Sequence, residues 1–315
     1  MQRHLCITDI LERLGNSLAL EPVRIDPDWP RPLPTNTARG GFPTLVGHLN
    51  LVQPNRLQIL GPAEIDWWHG RAGDERRHLL GQLLRTDLFG LIVTDGLEVP
   101  VDIARAAAEA QTPLLRSTQS GERVVSTLRH FLGHELAERT VLHGVFIDVL
   151  GTGVLLTGDP ALGKSELALE LISRGHSLVA DDAPEFSRPS PDTIEGEADP
   201  LLKDFLEVRG LGVLNVRAMY GDTAIRHHKR LQLVIHLEPL SEHLDNAADR
   251  VCGGLGTTDI LGLAIPAMTL PVAPGRNLAV LVEAAVRNSL LVRRGYSAGE
   301  DLTRRQEQAL REEQA

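Results

Sequence analysis

Apolar positions along this chain alternate between two patterns. Short unbroken apolar runs predict buried strands, and stretches with apolar residues three and four apart predict helices. A short amphipathic helix is expected from Ile7 to Leu14, followed by a proline-rich, irregular connection from Pro22 to Gly41. Strands are expected from Leu57 to Leu60, from Leu91 to Thr94 ahead of an Asp95-Gly96 turn, and from Pro113 to Leu115. Between and after them, helices are expected from Arg76 to Arg85, Val101 to Ala110 and Gly121 to Arg139. The last is marked by Val124, Val125, Leu128, Phe131, Leu132 and Leu136. This alternation predicts a small α/β domain with a largely parallel sheet over residues 1–139. No catalytic constellation stands out in it, so a structural, regulatory or oligomerising role is the expectation.

A second domain is expected over residues 140–315. The run from Val141 to Leu150 predicts a strand that turns at Gly151-Thr152-Gly153 into another, Gly153 to Thr157. Ser165 to Arg174 predicts a helix on Leu167, Leu169, Leu171 and Ile172, and Ser177 to Ala180 a short buried strand. Ser187 to Pro200 looks like a polar, proline-bearing loop. Leu206 to Val216 is apolar but interrupted by Gly210 and Gly212. A central strand is expected from Leu231 to Leu237, a long amphipathic helix from Asn277 to Arg293, and a charged tail of weak helical character from Ser297 to Ala315.

Composition narrows the class. The 315 residues are 42% hydrophobic and 23% charged, as in a soluble globular protein, and aromatics at 3% leave the cores to aliphatic side chains. A net charge of −10 argues against nucleic acid or an anionic membrane as the main partner. Two cysteines, Cys6 and Cys252, can form neither a disulfide framework nor a zinc spacing, and suit a reducing compartment. The N-terminus shows no basic flank before an apolar core, and no apolar run reaches the roughly 18 residues a membrane helix needs. A cytoplasmic location is the expectation.

The chemistry concentrates in Gly158-Asp159-Pro160-Ala161-Leu162-Gly163-Lys164-Ser165, which fits the phosphate-loop pattern G-x-x-x-x-G-K-[ST]. A buried strand before it and a helix after it are the context such a loop needs to turn backbone N–H groups onto phosphate oxygens. In that pattern Lys164 reaches the β- and γ-phosphates and Ser165 ligates Mg²⁺. Pro160 fixes φ and removes one N–H from the cradle. Asp181-Asp182, after the next strand, suit a metal ligand or general base, or equally an acidic turn. Glu207, near the Gly210 and Gly212 pair, can complete a metal shell or sit on a solvated edge strand. His143, on an apolar strand, fits a core residue as well as a catalytic one. Arg250 and Arg276 say little singly, although Pro274-Gly275-Arg276 is a turn able to present a guanidinium to phosphate.

In combination these residues resemble the HPr kinase/phosphorylase family. The resemblance is carried by His143-Gly144, by GKSELALELISRGHSLVADD from Gly163 to Asp182, by LEVRGLGVLNV from Leu206, and by APGRNLAVLVEAA from Ala273. LVGHLNLVQPNRLQILGPAE, from Leu45 to Glu64, is similar to that family's first domain. The resemblance implies an N-terminal α/β domain and a C-terminal P-loop kinase domain related to phosphoenolpyruvate carboxykinase, assembled as a homohexamer. It implies an enzyme that phosphorylates a serine of the phosphocarrier HPr with ATP, and that removes the group with inorganic phosphate, releasing pyrophosphate. By position, Gly158 to Ser165 would bind nucleotide, Ser165 and Glu207 would hold Mg²⁺, and Asp182 would be the proton-transfer group. His143, Lys164 and Arg250 would complete the catalytic set. Pro160-Ala161 replaces the family's more usual Ser-Gly centre, and the segment after Asp249-Arg250 also departs from its pattern. Two rival readings are a carboxykinase-like small-molecule kinase and a P-loop regulator that senses nucleotide without transferring phosphate.

Overall fold

The structure is a computed structural model that describes residues 5–24, 45–51, 55–85, 88–240 and 256–313. The chain divides into two compact units, Met1–Leu136 and Ala137–Ala315.

The first unit is built on five strands, β1 (Leu20–Arg24), β2 (Val46–His48), β3 (Leu57–Leu60), β4 (Gly90–Val93) and β5 (Leu114–Ser117), in the order β1-β5-β4-β3-β2. Strands β2 to β5 run parallel, and β1 closes one edge antiparallel to β5. Among the described residues the helices α1 (Ile7–Leu18), α2 (Pro62–His69), α3 (Gly73–Leu83), α4 (Val101–Glu109) and α5 (Gly121–Glu135) accompany them. The strand residues divide between two clusters. Ile59, Ile92 and Leu115 pack with α1 and α5, whereas Leu60, Leu91, Val93 and Leu114 pack with α2, α3 and α4. Burial on both faces is why these strands are mainly apolar rather than alternating. The helix expected to reach Arg139 stops at Glu135, where its apolar stripe ends, and Arg139 lies in a strand of the second unit.

The second unit holds a nine-stranded sheet. Its strands are β6 (Glu138–Val141), β7 (Val145–Val149), β8 (Thr152–Gly158), β9 (Ser177–Ala180), β10 (Glu185–Ser190) and β11 (Thr193–Glu197), and then, beyond the separate hairpin of β12 (Phe205–Val208) and β13 (Gly212–Asn215), β14 (His228–Pro239), β15 (Gly256–Ile260) and β16 (Leu263–Val272). The twelve-residue β14 is central: its first residues pair antiparallel with β11, and the rest runs parallel between β8 and β16. Among the described residues the unit also has the helices α6 (Lys164–Ser173), α7 (Val216–Tyr220), α8 (Leu278–Arg293) and α9 (Ala298–Glu313). Helices α6 and α8 share one aliphatic core with the sheet face carrying Leu156, Ile235 and Leu237. Phe146, Leu155, Phe186, Ile194 and Val234 form the core on the opposite face.

Three expectations fail for identifiable reasons. The single strand expected from Val141 to Leu150 is two strands, broken at Gly144, where φ is 153° and a Cβ would collide with the Leu156 carbonyl. The stretch expected as a loop, Ser187 to Pro200, largely forms the β10–β11 hairpin. There Gly196 leaves room for the edge-to-face rings of Phe146 and Phe186, 5.1 Å apart. The weakly helical tail is a full helix, supported by Asp301 bridging Arg305 one turn away at 2.8 Å.

Candidate active site

Three parallel strands, β8, β14 and β16, end at the same edge of the sheet, where α/β proteins bind ligands. Strand β8 leaves that edge as the loop 158–165. Its first residue, Gly158, has φ 134° and lies against Leu237 of β14, so closely that a Cβ would strike the Leu237 carbonyl. Gly163 caps α6 at φ 81°, a left-handed conformation that glycine adopts freely. Ala161 is also left-handed, at φ 69°, although it carries a side chain. The Pro160-Ala161 centre therefore retains a glycine-like backbone at its second position. Lys164 donates from Nζ to the carbonyls of Gly158 at 2.7 Å and Asp159 at 2.9 Å, within its own loop. Ser165 begins the helix beside it.

The acidic pair follows β9. Asp182 is exposed, with φ 68°, a conformation Asp tolerates better than most residues. Its carbonyl accepts a hydrogen bond from the N–H of Gly144 at 3.0 Å, which holds the exposed His143 beside the acidic turn. Asp181 turns a carboxylate oxygen to the backbone N–H of Glu207 at 2.9 Å, tying the β12–β13 hairpin to the same place. Burial pushes the Asp181 carboxyl up; hydrogen bonds from the Glu207 and Asp182 N–H groups counter this, and the charges of Asp182 and Glu207 add to it. On the hairpin, Leu206 and Val208 are buried against the α6 core while Glu207 between them is exposed. Two-residue alternation thus sets the glutamate outward.

The structure therefore brings His143, Asp181, Asp182 and Glu207 together through the Gly144–Asp182 backbone hydrogen bond and the Asp181 carboxylate on the Glu207 N–H. It places Gly158 to Ser165 at the sheet edge that β9 also approaches. Arg250 lies outside the described residues. Arg276 is exposed in the turn between β16 and α8. The sequence reading passed over Thr157 and His236, whose side chains meet at 3.1 Å immediately before the loop. Their only signal is period two: a polar residue at an outward position of an otherwise apolar strand.

Two family models match the chain. That of the HPr serine kinase N terminus matches residues 31–132, and that of the HPr serine kinase C-terminal domain matches residues 134–306. The chain belongs to the HPr serine kinase family. An HPr kinase/phosphorylase of Burkholderia lata is 47% identical over 268 residues, covering 85% of this chain and 82% of its own. One from Chromobacterium violaceum is 47% identical over 270 residues, covering 86% and 85%. One from Burkholderia ambifaria is 44% identical over 286 residues, covering 90% and 88%. Among solved structures, the Hpr(Ser) kinase/phosphatase of Coxiella burnetii matches with 33% identity and a TM-score of 0.47, over 50% of this chain and 94% of its own. The two-domain α/β architecture is thus that of the HPr serine kinase family. Among the described residues, no helix is long and apolar enough to cross a membrane.

Proposed function

We propose that this protein transfers phosphate from ATP to a serine of HPr, and in the reverse direction moves it from that serine to inorganic phosphate. The observation that carries the reading is the phosphate loop at a sheet edge, with a proton-accepting carboxylate, Asp182, held nearby by the Gly144 contact. Pure nucleotide binding does not require that carboxylate. Phosphoryl transfer does, because the serine proton must leave as the new P–O bond forms.

In this reading the loop N–H groups and Lys164 hold the nucleotide phosphates, and Asp182 accepts the proton from serine Oγ. In the phosphate-dependent direction Asp182 takes the proton of the attacking phosphate and passes it to the departing serine oxygen, acting as base and then as acid. His143 and Arg250 assist at the transferred phosphoryl. Ser165 and Glu207 are the residues that would hold Mg²⁺. Among the described residues no group of three His, Cys, Asp or Glu could hold a metal ion alone. Two oxygen ligands match Mg²⁺, which is commonly bound by one or two protein oxygens together with substrate phosphates. The negative charge gathered by Asp181, Asp182 and Glu207 also fits a cation there. When bound, the ion supplies charge neutralisation at the phosphates. A homohexamer in the cytoplasm completes the proposal.

The test is an assay with purified protein, Mg-ATP and HPr, followed by added phosphate, with Lys164→Ala as control. Serine phosphorylation that phosphate reverses, with pyrophosphate release, supports the reading. ATP binding without transfer in either direction would refute it and favour a nucleotide sensor.

A further inference from the structure

The sheet face away from α6 changes character one residue before the phosphate loop. Leu155, Val234 and Ala267, on the three central strands, belong to or pack against the closed core of that face. Two residues further along each strand, Thr157, His236 and Thr269 form the next row, with His236 in register with both threonines. Thr157 Oγ1 and His236 Nδ1 are 3.1 Å apart, and His236 is exposed although its strand is the innermost of the sheet. Gly158 follows Thr157 directly. On the far side of β8, Val145 pairs with Leu156, so Gly144 lies level with Thr157 and brings the Asp182 turn to that end of the row.

The row contains two hydroxyls and an imidazole, each able to donate one hydrogen bond. If the Thr157 hydroxyl donates to Nδ1, the imidazole proton resides on Nε2, which is then the free donor. Donors of this kind suit the oxygens of a tetrahedral oxyanion. We propose that His236 and Thr269 bind a phosphate group of the reverse reaction, either the phosphoserine of the acceptor or inorganic phosphate, with Thr157 positioning the imidazole. This rests on the transfer reaction proposed above. It adds a substrate-binding row on the face opposite α6, next to the turn that carries Asp182.

The test compares wild-type protein with His236→Ala, His236→Gln and Thr269→Val. Phosphate and phosphorylated HPr are titrated separately in the reverse reaction, and nucleotide affinity is measured by direct binding. The expected result is a KM for one of the two phosphate sources raised about tenfold in His236→Ala, the loss of one hydrogen bond to a charged group. Which KM rises identifies the source. His236→Gln, which keeps a donor, should recover most of that loss, and Thr269→Val should raise the same KM by roughly threefold. Nucleotide affinity should stay within about twofold of wild type. Unchanged KM values in both His236→Ala and Thr269→Val would overturn the inference, as would a parallel loss of nucleotide affinity. If the wild-type protein itself does not act on HPr, the failure lies with the proposed reaction.

Discussion

Ala161 provides the most direct test of how the phosphate loop is built. At φ 69° it occupies the left-handed region, which costs a residue with a Cβ roughly 1–2 kcal/mol. Ala161→Gly removes that cost but gives the unfolded chain more freedom, which takes back roughly 0.4–1 kcal/mol. The net expectation is a gain of about 0.5–1 kcal/mol, or about 1–4 °C in Tm for a unit of this size. Ala161 is exposed, so no lost packing offsets the gain. Thermal and urea unfolding would measure it. Gly163→Ala is the mirror experiment: it places a Cβ at φ 81° in the same loop and should destabilise by about 1–2 kcal/mol. Gly158→Ala should do more damage than either, because its Cβ meets the backbone carbonyl of Leu237 rather than a side chain that can move. If Ala161→Gly is neutral or destabilising, or shifts stability in the same direction as Gly163→Ala, the argument from backbone conformation is refuted.

Three further outcomes are expected. Asp182→Asn should reduce turnover about 10²- to 10⁴-fold while leaving ATP binding and melting temperature nearly unchanged, since Asn accepts the φ of 68° and only the proton acceptor is lost; retained turnover would remove Asp182 from the proton path. Gly196→Ala would drive a methyl into the rings of Phe186 and Phe146 and should cost about 1–3 kcal/mol in denaturant unfolding, with an unaltered melt arguing that the two rings can move apart. The His176 hydrogen bond at 3.2 Å, together with Arg174 and Arg287, holds the Glu283 carboxyl below the usual glutamate range. Stability from that depressed group is present above the unfolded glutamate pKa and disappears as pH falls through the folded one. The stability gap between wild type and Glu283→Gln should therefore close on acidification through and below about pH 4.5, and a gap that persists in strong acid would contradict the pairing.

Most of the parallel core was legible because both faces of its strands are largely buried, so Leu57 to Leu60 and Leu231 to Leu237 are mainly apolar, interrupted only by Gln58, Gln232 and His236. The loop 158–165 was legible because Gly158 and Gly163 are required by backbone geometry, and the lysine and serine after them complete a motif of fixed spacing. What escaped depends on tertiary contacts. The β10–β11 hairpin hides behind Pro189, Pro191 and a string of polar residues, and its fit to the core depends on Gly196 making room for two rings distant from it in sequence. The break at Gly144 is visible only once Leu156 lies beside it. Thr157 and His236 are 79 positions apart and meet only because β8 and β14 pair in one particular register.

The same dependence explains how the site can be both rigid and available to substrate. Its elements are joined largely through main-chain groups: Gly144 N–H to the Asp182 carbonyl, Glu207 N–H to Asp181, and Gly158 against the Leu237 carbonyl. Asp181 gives its side chain to that framework and is half-buried there, and the desolvation pushes its carboxyl up. Asp182, Glu207 and His143 contribute backbone to the framework and keep their side chains exposed. Adjacent aspartates in one turn thus differ physically: the first secures the hairpin that carries Glu207, and the second keeps its carboxylate exposed, as the proposed proton transfer needs. Asp181→Asn should accordingly act through Glu207. The amide oxygen can still accept the Glu207 N–H, so the fold should survive, but the charge beside Glu207 is gone. A changed Mg²⁺ requirement at unchanged ATP affinity would follow, whereas a turnover defect equal to that of Asp182→Asn at saturating Mg²⁺ would mean that the two carboxylates share one role.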